Sequence, residues 1–277
     1  MAFSRAREKG HEVFYHKHSR TKPMKHLKPS ITSARILCEG FHELTFSWDP
    51  SAGIPLPGQF MTIRVAEGTA PLLRRPFAFS GYDTKAGTAS IIFQKRGTAT
   101  QLLAGKEPGD KLDIIGPLGN TFSMPALGQD AVILAGGIGL GPLLFLVSSL
   151  VAQKRTTTFI FGARSKSMVP ACVLSGITAS ICTDDGSMGF KGTVIDYLRT
   201  LSVANARLYA CGPGPMLKAC HAFALEHQLA CEVSVEQVMA CGVGACMGCV
   251  VKVVREPGYA RACKDGPVFD SRELVWE

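Results

Sequence analysis

Residues 131–152 read AVILAGGIGLGPLLFLVSSLVA, an uncharged stretch long enough for a membrane-spanning helix. Its middle argues otherwise. Gly136, Gly137, Gly139 and Gly141 precede Pro142, and glycine and proline are the poorest helix formers. The stretch therefore reads as a buried strand over 131–135, a glycine turn, and a helix beginning near Pro142. A strand that turns directly into a helix is the unit of a parallel sheet with helices on its faces.

Working outward, the alternation continues downstream. TTFIFGAR (157–164) and ASICTDDGS (179–187) are strands, and GTVIDYLRTL (192–201) is helical. ARLYACGPGPM (206–216) is a strand ending in a turn, PMLKACHAFALEHQ (215–228) a helix, and CEVSVEQ (231–237) a closing strand. Residues 128–232 thus predict a parallel-sheet, Rossmann-like nucleotide domain. Upstream, residues 31–127 hold short β-rich runs, such as QFMTIRVA and SIIFQKR, punctuated by Gly, Pro and Asp. That spacing predicts a small antiparallel β-barrel. The fold class is a multidomain β plus α/β chain. Residues 233–277 are too short and cysteine-rich for a core of their own.

Composition limits the function. The 277 residues are 46% hydrophobic and 19% charged, as in a globular protein with sizeable cores. The net charge of +8 is concentrated: residues 1–30 carry eight Lys or Arg against two Glu. The body is close to neutral, which argues against a nucleic-acid partner. The basic stretch 1–30, with His11, His16, His18 and His26, reads as a disordered arm. It lacks the apolar segment of a secretory signal. A cytoplasmic, reducing setting follows as the expectation, with no membrane association. There, clustered cysteines are metal ligands more often than disulfides.

Such a cluster is present. Cys241, Cys246 and Cys249 give C-x4-C-x2-C, and Cys263 follows. This is plant-type [2Fe–2S] spacing. Structural zinc, the chemical rival, usually takes its cysteines as two separate knuckles. Glycines at 242, 244 and 248 suit a loop that wraps a cluster closely with its backbone. The remaining six cysteines lie in apolar runs and read as small core residues.

Two further glycine turns lie at strand ends. Gly136, Gly137 and Gly139 open a helix, where phosphate binds well, although the pattern departs from G-x-G-x-x-G. Cys211, Gly212 and Pro213 follow a later strand, where ligands bind in open parallel sheets. No Ser–His–Asp set or zinc-type His motif stands out.

LRRPFAFS (73–80), GTAT (97–100), GPLGNTF (116–122), GGIGLGP (136–142) and CGPGPM (211–216) together resemble the ferredoxin–NADP reductase superfamily. The C-terminal runs VSVEQVMACGVGACMGCVVKV (233–253) and CKDGPVFDSREL (263–274) are more specific. They resemble the electron-transfer subunits of NAD-dependent dihydroorotate dehydrogenases. The likeness runs from about residue 31 to 277.

The resemblance implies an FAD-binding barrel, an NAD-binding domain and a C-terminal [2Fe–2S] segment held by Cys241, Cys246, Cys249 and Cys263. It implies FAD contacts at Arg75, Pro76, Phe77 and Ala78, with Arg75 meeting the pyrophosphate. Ile92, Phe93 and Gln94 form a second FAD segment, and Ala99 and Thr100 a phosphate turn at the start of a helix. Three positions depart from the family pattern: Ala78 replaces a serine, Gln94 a frequent arginine, and Ala99 a glycine. The nucleotide turns would take NAD(H) as co-substrate. Arg164 and Lys166 keep NADP open, whereas Asp184 and Asp185 would repel its extra phosphate. The implied partner is a catalytic, FMN-containing dihydroorotate dehydrogenase subunit of pyrimidine biosynthesis, in a heterotetramer with two of each subunit. The chain is then an oxidoreductase component with no catalytic residue of its own for pyrimidine chemistry. The alternatives are a reductase subunit of another complex, of the ferredoxin:NADP transhydrogenase or hydrogenase type, and a non-catalytic redox-sensing module.

Overall fold

In the computed structural model, residues 24–174 and 178–277 are described. For residues 1–23 the expectation of a disordered arm lies outside the described residues. The expectation for 25–30 is corrected. β1 (Lys25–Leu27) pairs antiparallel with residues 114–116, and Ser30 bridges to Lys111.

The N-terminal half is built from two four-stranded antiparallel sheets around one core. Its strands are β1, β2 (Ile31–Cys38), β3 (Phe41–Ser47), β4 (Phe60–Arg64), β5 (Arg75–Ala78), β6 (Gly81–Asp83) and β7 (Thr88–Gln94). After α1 (Thr98–Ala104) comes β8 (Asp113–Leu118). The sheet orders are β1-β8-β4-β5 and β2-β3-β7-β6. Met61 and Ile63 of β4 point into this core with Phe46, Trp48, Phe79, Ile91 and Leu103.

The second half alternates as expected: β9 (Asp130–Gly136), α2 (Leu140–Ala152), β10 (Thr157–Ala163), α3 (Ala171–Leu174), β11 (Ala179–Thr183), β12 (Phe190–Lys191), α4 (Val194–Leu198), β13 (Ala206–Cys211), α5 (Gly214–Glu226) and β14 (Ala230–Ser234). The C-terminal segment adds β15 (Val250–Lys252), β16 (Tyr259–Arg261) and β17 (Val268–Asp270). The sheet runs β12-β11-β10-β9-β13-β14-β17 and is parallel except for β17. Helices α4 and α5 pack on one face and α2 and α3 on the other, so the sheet is doubly wound.

This packing explains the charge-free stretch. β9 is central, between β10 and β13, and is buried from Ala131 to Gly136. Helix α2 lies between the sheet and the barrel. Leu143, Leu146 and Val147 face the sheet, while Phe145 joins the barrel core. In return, Phe41 and Ile92 of the barrel enter the core beneath α2. From Leu140 to Val147 the helix is apolar all round and covered all round, and its exposed positions, Ser148, Val151 and Ala152, fall in the last turns. Among the described residues no helix is long and apolar enough to cross a membrane.

β14 continues to Ser234, two residues past the boundary drawn from sequence, and β17 returns to pair with it. The C-terminal segment is therefore stitched into the sheet. It also rests on the barrel, where Met239, Cys249, Ala262 and Cys263 share a small core with Phe60 and Leu118.

Candidate functional site

The loop 241–249 lies over the outer face of β4 and β8. Gly242 has φ +70°, a left-handed conformation natural to glycine, and a Cβ there would meet Thr62 Cγ2 at 2.6 Å. Backbone donors surround the sulfurs. The N–H groups of Val243, Ala245 and Cys246 donate to Cys241 Sγ at 3.4, 3.3 and 3.4 Å. Gly244 N–H donates to Cys263 Sγ at 3.0 Å. Gly248 N–H reaches Cys246 Sγ, and Cys263 N–H reaches Cys249 Sγ, both at 3.4 Å. Cys249 and Cys263 are buried, and Cys246 is exposed.

The electrostatics follow from these contacts. Burial pushes the Cys241 thiol up, but the donors from Val243, Cys246 and Ala245 outweigh it and lower the thiol to about 6. Burial, with the Cys249 sulfur beside it, pushes Cys263 up to about 12. A thiol of the second kind ionises when a cation takes the place of its proton. Arg261 braces the loop: Nη1 donates to the Gly244 carbonyl at 3.1 Å and Nε to Asp265 at 3.0 Å. Four thiols wrapped in N–H donors are the surroundings an anionic iron–sulfur unit needs.

Sequence reading missed the residues that hold this loop from below. Phe60, Thr62 and Leu118 form its floor. Asn120 clasps the far side, donating to the Asp265 and Val268 carbonyls at 3.2 and 2.8 Å and accepting from Val268 N–H at 3.0 Å. A signal was present. FMTI (60–63) lacks the regular polar–apolar alternation of a strand with one wet face, and the structure buries all four residues.

The residues proposed for flavin lie on β5 and β7, which belong to different sheets of the barrel, and at the start of α1. Pro76 of β5 sits opposite Thr62 of β4, and β5 also packs against β7. Phe77 meets Phe93 edge-on, with ring centroids 5.8 Å apart. Arg74 and Arg75 differ in their commitments. Arg74 grips Asp113 at 2.6 Å, while Arg75 Nη1 donates to the Leu73 carbonyl at 2.6 Å. Ala78 is half-buried, Gln94 accepts from Arg96 Nε at 2.7 Å, and Ile92, Phe93 and Ala99 are buried in cores. Thr100 does not open its helix. α1 begins at Thr98 with Gly97 as cap, and the Thr100 hydroxyl accepts from Gly97 N–H at 3.0 Å. Its side chain supplies the N3 half of a capping box, and Gly97 has no side chain to return the bond.

The two glycine turns expected to take nucleotide meet at the topological switch point, where β9 and β13 lie side by side but their helices leave on opposite faces. Gly139 lies against the Cys211 peptide, and a Cβ on Gly136 or Gly212 would strike Met216 at 2.5 or 2.7 Å. Gly136 also lies against Pro213. These glycines answer a packing demand. Gly137 does not: its φ is +53° and a Cβ there would meet nothing within 4 Å. Burial pushes the Cys211 thiol up to about 12, so it is neutral at physiological pH. At the neighbouring strand ends, Asp185 accepts from Ser187 N–H and Oγ–H at 2.9 and 2.6 Å, which holds its carboxyl below the usual range. Its backbone N–H meets the Arg164 carbonyl at 3.3 Å.

Comparison with known proteins agrees with this arrangement. Residues 236–275 match the iron–sulfur cluster binding domain of dihydroorotate dehydrogenase B. Over 260 residues the chain is 39% identical to the electron transfer subunit of dihydroorotate dehydrogenase B (NAD(+)) of Desulforamulus reducens, covering 89% of this chain and 97% of that one. The corresponding subunit of Geobacillus thermodenitrificans is 39% identical over 254 residues, with the same coverage. Among solved structures, an NADH-dependent reduced ferredoxin–NADP oxidoreductase superposes with a TM-score of 0.78 at 27% identity, covering 90% of each chain. Phthalate dioxygenase reductase shares the fold, with a TM-score of 0.62 at 17% identity over 83% of this chain and 87% of that one. The chain belongs to the family of electron transfer subunits of NAD(+)-dependent dihydroorotate dehydrogenase B.

Proposed function

We propose that the chain carries electrons between NAD(H), FAD and a [2Fe–2S] cluster, and exchanges them with an FMN-containing catalytic subunit that interconverts dihydroorotate and orotate. When bound, FAD would couple the two-electron hydride chemistry of NAD(H) to the one-electron chemistry that a [2Fe–2S] cluster would supply.

The chain's own residues position and insulate these groups. Cys241, Cys246, Cys249 and Cys263 hold the cluster, and the N–H donors of the loop offset its negative charge. Arg75 offers an always-charged fork to the FAD diphosphate. Pro76, Phe77 and Ala78 of β5 line the flavin together with the Ile92–Phe93–Gln94 segment. The backbone around Ala99 and Thr100 faces the phosphates. Gly136, Gly137 and Gly139 receive NAD(H) from one side of the crevice, and Cys211, Gly212 and Pro213 from the other. Cys246, the exposed ligand, marks the side where the partner docks, next to exposed Met247. The cytoplasm, with its reducing poise, is the setting such thiols require.

The observation that carries this reading is the wrapping of four cysteines in backbone donors on the outer face of β4, one strand from Arg75-Pro76. Anaerobic purification together with the native partner tests it. The expected complex holds about two irons and one FAD in this chain, and NADH bleaches the flavin before the cluster. A colourless, iron-free complex overturns the reading. A different co-purifying partner overturns the dihydroorotate assignment alone.

A further inference from the structure

Among the described residues, two buried side-chain polar atoms have no hydrogen-bond partner: Thr62 Oγ1 and Arg207 Nε. Arg207 is otherwise engaged, with Nη2 donating to Glu232 at 2.9 Å. Thr62 has no such substitute. It is 2% exposed, in mid-strand on β4, with Pro76 on one side and Ile115 on the other. Strand alternation sends Met61 and Ile63 into the barrel core, so Thr62 and Phe60 turn to the outer face. That is where Cys249 and Cys263 pack on Phe60. The Thr62 methyl lies against Gly242, the residue next to Cys241.

The chemistry at this position is unexpected for a packing residue. Valine has the same shape, suits a β-strand as well, and leaves no polar atom to satisfy. A hydroxyl buried beneath the cluster loop needs an acceptor. The described residues provide none, and the cysteine sulfurs take their hydrogen bonds from backbone N–H groups. The remaining electron-rich atoms of a [2Fe–2S] site are its sulfides.

We propose that the Thr62 hydroxyl donates a hydrogen bond to a sulfide of the cluster, making it a positioning residue that reaches the cluster from the flavin-binding barrel. This rests on the four-cysteine reading above. Reduction adds negative charge to the cluster, so a donor on a sulfide stabilises the reduced form more and raises the potential. The barrel thereby sets the driving force of the last internal transfer through one atom.

The test is EPR-monitored redox titration of the complex carrying Thr62→Val or Thr62→Ser, beside wild type with its iron content measured. Thr62→Val is expected to lower the reduced-to-oxidised ratio of the cluster about tenfold at fixed potential, which is about 59 mV for a one-electron couple. Thr62→Ser is expected to stay near wild type, and the flavin couple to stay unmoved in both. An unmoved cluster potential in Thr62→Val overturns the proposal, as does an equal shift in both variants or a shift of the flavin alone. Cluster loss in Thr62→Val with retention in Thr62→Ser supports it, and loss in both overturns it in favour of methyl packing against Gly242. A wild type without iron overturns the underlying cluster reading instead, so the two failures are distinct.

Discussion

A Cβ placed on Gly139 would stand 2.0 Å from the carbonyl oxygen of Cys211, so these residues touch backbone to backbone where the turns after β9 and β13 meet. Gly139→Ala has no flexible neighbour to displace. It is expected to part the turns and cost about 3 kcal/mol or more of stability. Gly137→Ala faces open space and incurs only the left-handed penalty, about 1–2 kcal/mol. It is expected to keep the fold and weaken NADH binding. Thermal melts paired with NADH titration check both, and a Gly139→Ala protein melting like wild type contradicts the packing argument.

The adjacent arginines separate cleanly. Arg75→Ala is expected to weaken FAD by about 1.5–3 kcal/mol, the value of a charge-assisted contact, with little change in the apoprotein's melting temperature. Arg74→Ala is expected to act in the opposite way. It strips Asp113 of its main partner, leaves His26 alone at 2.7 Å, and lowers stability while FAD affinity holds. Flavin retention on dialysis, measured beside apoprotein melts, distinguishes the two outcomes.

Cys249 is buried beneath the loop, and its sulfur accepts from Cys263 N–H. Cys249→Ser is expected to retain FAD and NADH-driven flavin bleaching but to lose the visible absorbance of the cluster and all transfer to the catalytic subunit. Full retained transfer would show that electrons leave by another route.

Truncation draws the boundary of the barrel. Removing residues 1–23 leaves β1 in place and is expected to spare FAD and iron. Removing 1–29 deletes the strand paired with Ile114, Ile115 and Gly116 and exposes an edge of β8. That protein is expected to melt at lower temperature and release flavin more readily. Identical melts for both truncations would show that β1 adds nothing.

His221 stacks on Trp276 with ring centroids 5.4 Å apart, and its Nδ1 lies 3.1 Å from Ser271 Oγ. Burial, with Arg272 adding to it, holds the imidazole below its usual 6.5 against the opposing pull of Asp270. The undocked C-terminus binds a proton more readily than the docked one. Docking is therefore strongest above pH 6.5 and weakens as pH falls from there toward the lowered value. In a Trp48→Phe background, Trp276 fluorescence is expected to change over this window, and His221→Gln to remove the change.

Much of this molecule could be read in advance. The βα turn at 136–142 and the cysteine spacing are local signals, set by residues near in sequence, and both lie where expected. Contacts between distant segments were less legible. Thr62 looks like an ordinary strand residue until the loop 241–249 covers it. Lys25–Leu27 reads as part of a charged arm because its strand partner lies some ninety residues on. Ile92 and Gly136 carry family motifs, yet the first packs in the core beneath α2 and the second against Met216. A motif records which residues occur together and leaves open whether a ligand or a neighbouring backbone requires them.

The pairing of β17 with β14, together with the Asn120 clasp, joins the cluster segment to sheet and barrel at once. Such a segment has no tether on which to swing. Transfer inside this subunit is then expected to proceed without a swinging segment, and docking of the partner is the step that moves.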